Sequence, residues 1–146
     1  MTTYCAFEHG DRRIGFEMCV VREVVERIET TPLPRSPAFV LGLGNLRGEV
    51  LPLFDLRSFV GAGAAETGAD RVIVIERHKL RFALRGSGLQ TLQADPEMFE
   101  LHPESATHPA LETTLTSPRG LLHLVNFDRL SASLHQALSA ETLRVA

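Results

Sequence analysis

The chain has 146 residues and a formal net charge of −3, and its 44% hydrophobic and 23% charged residues are typical of an ordinary globular domain. This balance excludes a broad nucleic-acid surface, because such a surface needs clustered positive charge. No run approaches the ~20 apolar residues that cross a bilayer, and the N-terminus shows no signal-peptide pattern. Two cysteines make no disulfide framework, so we expect a cytoplasmic protein in which Cys5 and Cys19 are small buried side chains.

The N-terminal part of the chain has the pattern of strands. Residues 3–9 alternate between apolar and polar side chains, and the turn signal Gly10-Asp11 follows. The segment 13–29 is rich in β-branched residues, which favour a strand over a helix, with a bulge or bend near Arg22-Glu23. Three prolines between residues 32 and 37 then predict a loop, in which Ser36-Pro37 is suited to open one helical turn.

A hairpin is predicted around Arg47-Gly48. Two apolar runs, FVLGLGNL and EVLPLFDL, meet at this dipeptide. A two-residue connection that contains glycine forms a tight turn, because glycine accepts a positive φ without a Cβ clash.

Two further strands are predicted in the second half, at 71–77 and 80–85. The first is apolar throughout its centre, and the second alternates with a period of two. The inward-facing residues of the second strand are expected to be Leu80, Phe82 and Leu84. The Gly-Ser-Gly stretch at 86–88 is expected to bend the chain after it.

The connections and the C-terminus complete the pattern. Residues 60–70 are small and predict a surface connection, whereas the polar residues 94–118 predict a loop without a strand. A last strand is expected at 119–127. An amphipathic helix follows, with apolar residues at 3-4-4 spacing: Phe127, Leu130, Leu134 and Leu138. Short strands about every ten residues indicate a mainly β fold of barrels or a sandwich rather than βαβ units.

The sequence motifs give no support to a phosphate site, a nucleophile or a metal. Gly42, Gly44 and Gly48 lack the spacing of a dinucleotide fingerprint and precede a strand, and no P-loop is present. Ser87 lies between glycines without forming a G-x-S-x-G elbow. The six histidines form no zinc-type pattern, and His123 suits a core or strand-edge position better than a ligand position. We therefore expect no cofactor and no metal.

Two charges interrupt apolar stretches, Glu23 in VVREVV and Arg47 in GNLRGEV. A charge in such a place is buried only if it is paired, because an unpaired one costs several kcal/mol. One interpretation is that both are hairpin ends whose charges reach water. The other is a Glu23–Arg47 pair that orders one barrel and shapes the surface beside it.

The segment GLGNLRGEVLPLFDLRSFVG closely resembles the hallmark of the CheW family of bacterial chemotaxis coupling proteins, in which an Asn-Leu-Arg-Gly turn precedes an apolar strand with proline and then Asp-Leu-Arg. FEMCVVREVVE, TPLPRSPAFVLG, VIVIER and LLHLVNFDRLS are similar to further family segments in the same order. The resemblance implies two small five-stranded, SH3-like β-barrels in a single domain, with short helical turns and a C-terminal helix. The first barrel is expected at about 15–68, and the second at about 1–14 plus 69–146.

The resemblance also implies a non-catalytic adaptor. Proteins of this family join the cytoplasmic tips of methyl-accepting receptors to the regulatory domain of a CheA-type histidine kinase, so recruitment to membrane receptor arrays is implied without insertion into the membrane. Family positions important for coupling fall on Glu23 and Arg47. The positions near the same groove are Val21, Val24, Asn45 and Leu46.

One stretch departs from the family pattern. After its second strand, the second barrel of the family carries Val-Asp-x-Val, whereas this chain has LRGSGL, with Ser87 in place of the Asp and Arg85 close by. The stretch Arg85–Gly88 therefore indicates changed partners. The alternatives are a CheW-like scaffold for pili, surface sensing or polar localisation, and a small β-barrel enzyme or ligand-binding protein, which requires a concave pocket with convergent polar groups.

Overall fold

Strands dominate the computed structural model, which describes residues 2–10, 12–60, 70–95, 111–117 and 120–145. The strands among these residues are β1 (Thr2–His9), β2 (Arg12–Glu17), β3 (Val21–Val25), β4 (Glu29–Thr31), β5 (Val40–Leu46), β6 (Glu49–Asp55), β7 (Asp70–Arg77), β8 (Leu80–Ala94), β9 (Leu111–Ser117) and β10 (Gly120–Val125). The helices are α1 (Leu56–Val60), α2 (Phe127–Val145) and a 3-10 turn at Met18–Val20. The predicted connection at 60–70 lies almost entirely outside the described residues.

The strands are hydrogen-bonded into one sheet that divides into two groups. One group, here called the first barrel, runs β3–β7–β8–β6–β5–β4. The other, the second barrel, runs β8–β1–β2–β10–β9. The β6–β8 and β2–β10 pairs are parallel, and the other pairs are antiparallel.

Strand β8 takes part in both barrels. Its first part pairs with β7 on one side, from Leu80 to Ser87, and with β6 on the other. Its last part, from Ser87 to Ala94, pairs with β1. A register shift opposite Ala6–Glu8 and a φ of 63° at Gly88 mark the change of partner. The predicted bend at 86–88 is therefore a change of partner within one long strand.

The position of strand β7 between two cores explains why its sequence is apolar without alternation. Val72 and Val74 point into the first barrel, where they contact the buried residues of β5, β6 and β8. Ile73 and Ile75 point to the opposite face, into the larger core between the barrels and α2. Because both faces of β7 are buried, each of these side chains contributes about 1.5–3 kcal/mol by leaving water.

The larger core is closed by the C-terminal helix, as its periodicity predicted. Phe127, Leu130 and Leu134 are buried, and Leu138 packs against them at the edge. Phe127 stacks with Phe82 of β8 at 6.1 Å between ring centroids, which connects the helix to the sheet. The helix begins at a side-chain cap, because Arg129 N–H donates to Asn126 Oδ1 at 3.0 Å.

The mainly β fold, the hairpin at Arg47-Gly48 and the C-terminal helix are confirmed. The bulge predicted near Arg22-Glu23 is also present, because the β3–β7 register shifts between Val21 and Glu23. The division into barrels at about residues 15 and 69 stays a prediction. The pairing of β7 with β3 favours a later boundary, inside β8.

Several local predictions were wrong. The stretch 94–118, expected to hold no strand, contains β9, which pairs with β10 from Ser117 to Leu111. Leu80 is 44% exposed instead of facing inward, and Cys19 is exposed whereas Cys5 is buried. No helical turn begins at Ser36-Pro37; instead Val40 N–H donates to the Pro37 carbonyl at 3.0 Å in a turn. The continuous apolar pattern of 13–29 also concealed the 3-10 turn at Met18–Val20.

Candidate functional site

The hairpin between β5 and β6 shows how the sequence shapes one end of the first barrel. Arg47 and Gly48 both take positive φ, 50° and 87°, as a type I′ turn requires. Gly48 N–H donates to Asn45 Oδ1 at 2.9 Å, which fixes the turn from inside the hairpin. A residue other than glycine loses about 1 kcal/mol or more in this conformation, which Arg35 and His78 also adopt.

Arg47 is paired with Glu23, as one of the two interpretations predicted. Arg47 Nη2 lies 2.7 and 2.8 Å from the two carboxylate oxygens of Glu23. The β3 bulge makes Arg22 the extra residue and sets Glu23 opposite Val74, whose side chain points into the first barrel. The Arg47 side chain is nevertheless 68% exposed and that of Glu23 26%, so the pair also reaches water.

Four more charges lie at the same end of the first barrel as this pair. Arg22 Nη1 binds Glu76 Oε2 at 2.5 Å, and Glu76 Oε2 lies 3.7 Å from Arg81 Nε. Arg81 Nη1 also binds Glu49 Oε1, and Glu49 follows the Arg47-Gly48 turn directly. These four charges form one ionic chain, and Glu23 and Arg47 form a separate pair at the same barrel end. We call the six side chains together the charged ring: Glu23, Arg47, Glu49, Arg81, Glu76 and Arg22. The hydrogen bond and charge of Glu76, supported by the charges of Glu49 and Glu23, raise the pKa of Arg22.

The other predicted site residues occupy different environments. Val24 is 46% exposed and lies opposite Ile73, and Val21 lies opposite Ile75 and packs against the larger core. Asn45 is exposed and caps the turn. Leu46 is buried beneath the charged ring with Leu51 and Val74, so its main contribution is to support the hairpin.

Sequence reasoning did not find Arg22, Glu49, Glu76 and Arg81. Each lies at the end of a strand or in a bulge, where a charged residue is normally solvated, and nothing in the sequence indicates that they meet. The available signal was the pairing of β7 with β8 across His78-Lys79, which places Glu76 opposite Arg81. The contact with Glu49 depends on the parallel β6–β8 pair, which the strand pattern did not predict.

A second polar cluster lies at the other end of the first barrel, where the sequence departs from the family pattern. Asp55, 7% exposed, caps α1 through Arg57 N–H and the Ser58 hydroxyl, both 3.2 Å away. Asp55 also lies 3.5 Å from Nε of Arg57 and 3.5 Å from Nη2 of Arg85, its register partner on β8.

Ser87 joins this second cluster from β8. Its buried hydroxyl donates to Asp70 Oδ1 at 2.7 Å, directly across the β7–β8 ladder. Asp70 Oδ2 in turn lies 3.9 Å from Arg57 Nη2. Here a carboxylate is supplied by β7, opposite the position where the resemblance expects an Asp on β8. We call this set the buried cluster after Asp55 and Ser87, its two buried members. Its other members are more exposed: Arg57, Ser58, Asp70 and Arg85.

His123 is a buried histidine, as the sequence predicted. It lies on β10, where Arg12 Nη1 is 3.4 Å from its Nε2. Burial lowers the pKa of His123, and the charges of Arg12 and His9 lower it further. Burial raises the pKa of the Cys5 thiol to about 11, so Cys5 is not a reactive thiolate. Among the described residues, no group of three or more acidic, His or Cys side chains is arranged to hold a metal ion.

Two concavities among the described residues bear on the alternative of a ligand pocket. One, of about 160 Å³, lies between the end of β2, the end of β7 and the start of α2, and Arg77 and Phe127 line it. This volume is below the roughly 300–1,000 Å³ of small-molecule sites. The other, of about 400 Å³, is an open depression on one face of α2. Within the described part of the chain, no helix is long and apolar enough to cross a membrane.

Comparison with known proteins agrees with this geometry. The model of the CheW-like domain matches residues 3–134. Relatives include the chemotaxis protein CheW of Rhizobium meliloti, 41% identical over 52% of this chain and 49% of that protein. Protein FrzA of Myxococcus xanthus is 43% identical over 44% of this chain and 41% of that protein. These alignments therefore span about half the length of the curated relatives.

The fold comparison extends further along the chain. The crystal structure of the scaffolding protein TtCheW from Thermoanaerobacter tengcongensis superposes with a TM-score of 0.74 at 22% identity, over 86% of this chain and 89% of that one. The family match covers all ten strands and the first turns of α2, including both polar clusters. The chain belongs to the CheW-like family.

Proposed function

We propose that the protein is a non-catalytic adaptor that couples the cytoplasmic tips of chemoreceptors to the regulatory domain of a CheA-type histidine kinase. The match to the CheW-like domain supports this proposal, as do relatives named chemotaxis protein CheW. The protein would act in the cytoplasm and reach the membrane through receptor arrays.

The observation that carries the proposal is the exposed Glu23–Arg47 pair on a strained turn. Arg47 lies at the barrel end in a conformation with an unfavourable positive φ. Its side chain binds Glu23 but is 68% exposed, so the guanidinium is accessible to a partner. Val24 adds an exposed apolar side chain beside Glu23 on β3, and Val21 lies next to it. Apolar contact with a charged rim is the usual composition of a protein–protein recognition surface. We assign partner binding to Val21, Glu23, Val24, Asn45 and Arg47, with Leu46 supporting the hairpin.

The test is a pull-down from native lysate with wild-type and Arg47→Ala protein side by side, followed by calorimetry with the captured kinase domain and receptor tip. We expect wild-type binding in the micromolar range and weaker binding by Arg47→Ala. Arg71→Ala is the matched control, because it removes one guanidinium from β7 at the opposite end of the first barrel. An adaptor for pili, surface sensing or polar localisation makes the same kind of contact, and the captured partners identify the pathway. Absence of both partners refutes the proposal.

A further inference from the structure

Arg81 has a central position in the charged ring. It contacts two carboxylates on two different strands, Glu49 of β6 and Glu76 of β7. Its side chain is 20% exposed, the smallest fraction in the ring, whereas that of Arg47 is 68% exposed. Arg81 is thus held in place by the sheet, and Arg47 is held mainly by Glu23.

The contacts of Arg81 lead to both members of the Glu23–Arg47 pair. On one side, Glu49 is separated from Arg47 only by Gly48 and closes the hairpin opposite Leu46. On the other side, Glu76 binds Arg22, which precedes Glu23 in the β3 bulge. Arg81 is thus linked through one carboxylate on each side to the chain neighbours of both members of the pair.

Arg81 also sets the charge balance of the ring. The ring has three carboxylates and three guanidiniums, so its formal charge is zero. Without Arg81, Glu49 loses its direct ionic contact, and the ring carries one excess negative charge. Glu49 lies two residues after Arg47 across the turn, so its unpaired carboxylate would then attract the Arg47 guanidinium in competition with Glu23.

The Nε–H group of Arg81 is a hydrogen-bond donor without an acceptor among the described residues. Arg81 Nε is buried, and no hydrogen-bond acceptor is found for it among the described residues, since Glu76 Oε2 at 3.7 Å is beyond hydrogen-bond distance. The Arg81 guanidinium is partly buried and bound by two carboxylates, so it is more restricted than a solvent-exposed surface arginine.

We propose that Arg81 is a positioning residue for partner binding: it holds Glu49 and Glu76 away from the Glu23–Arg47 pair and so keeps the Arg47 guanidinium directed at the partner. This inference rests on the proposed adaptor function and extends it to a residue outside the predicted site. A ring of zero net charge with alternating signs fits a polypeptide surface that presents both signs. It does not fit a purely anionic surface such as nucleic acid or acidic lipid.

The experiment is a double-mutant cycle with Arg47→Ala, Arg81→Ala and the double variant, measured by calorimetry against the receptor tip and the kinase regulatory domain. We expect Arg81→Ala to weaken binding by about 5- to 10-fold, and the double variant to bind no more weakly than Arg47→Ala alone. Arg71→Ala should bind as wild type does. Thermal melts of each variant check that the fold is retained.

A measurement without a partner separates this inference from the proposed function. In the free protein, ¹⁵N relaxation of the Arg47 Nε–H group should show a lower order parameter in Arg81→Ala than in wild type, and Arg81→Lys should restore it in part. If wild type binds neither partner, the adaptor function fails, while the relaxation result still decides whether Arg81 positions Arg47. Unchanged Arg47 order, or binding losses that simply multiply, would overturn the positioning role.

Discussion

The charged ring and the buried cluster are built from the same chemistry, arginine against carboxylate, at opposite ends of the first barrel. In the ring, the guanidinium of Arg47 is mostly in water, and an exposed ion pair contributes little to folding. In the buried cluster, Asp55 is 7% exposed and accepts hydrogen bonds as well as ionic contacts. The two ends thus differ most between Arg47, which is mostly exposed and carries the proposed recognition, and Asp55, which is buried and holds the start of α1.

The largest expected effect tests the buried end. Asp55→Ala removes the cap of α1 and leaves Arg57 and Arg85 without their nearest carboxylate, so we expect a loss of about 3 kcal/mol in the free energy of unfolding. Urea denaturation of the two proteins measures it. Asp55→Asn keeps an acceptor for Arg57 N–H and Ser58, and it should lose less. A loss below about 1 kcal/mol for Asp55→Ala would show that the cluster does not stabilise the fold.

A smaller effect is expected at the edge of the same cluster. Ser87→Ala removes the hydrogen bond to Asp70, and because the Asp70 side chain is half exposed, its carboxylate is rehydrated. The expected loss is about 1 kcal/mol, the usual contribution of one hydrogen bond. Ser87→Asp, which restores the residue type of the family pattern, places two carboxylates together and should be less stable than Ser87→Ala. Greater stability of Ser87→Asp contradicts the view that Asp70 already supplies the carboxylate.

The second barrel contains a third polar site, the buried His123, whose effect on stability depends on pH. The folded state lowers the pKa of His123 below its ordinary 6.5, so the unfolded chain binds this proton more readily. The contribution of neutral His123 to the free energy of unfolding is fully present above pH 6.5. It is lost as the pH falls from 6.5 towards the lower pKa that His123 has in the folded state. Melting temperatures at pH 7.5 and 5.5 should differ more in wild type than in His123→Gln. An equal difference in both proteins removes His123 as the cause.

The smallest stability effect should come from the ring itself. Arg47→Ala is expected to change the free energy of unfolding by less than about 1 kcal/mol, because the ion pair is exposed. Alanine at this position must adopt the same unfavourable positive φ as Arg47, so the backbone strain does not change. Arg47→Gly removes that strain and should be at least as stable as Arg47→Ala. Urea denaturation of the three proteins measures this. A loss as large as that of Asp55→Ala would remove the distinction between the two ends.

The hairpin and the helix could be predicted because their signals are local. Gly48 fixes a two-residue turn, and the 3-4-4 spacing from Phe127 defines one helix face. Strand β9 escaped prediction because its stretch has few apolar residues and is recognised only through pairing with β10. The same limit applied to the site: Glu23–Arg47 could be proposed from two charges in apolar surroundings, whereas Arg22, Glu49, Glu76 and Arg81 became a group only through strand register.

The double pairing of strand β8 determines where the chain can be divided into fragments. Its first half pairs with β6 and β7 and its second half with β1, so a single backbone segment supplies a hydrogen-bonded partner to both barrels. A fragment that ends before Gly88 leaves β1 with an unpaired edge, and a fragment that begins there deprives β6 and β7 of their shared neighbour. Neither half can be expressed as an autonomous module with its sheet intact. Chimeras that exchange one barrel for that of a relative must therefore carry β8 as a whole.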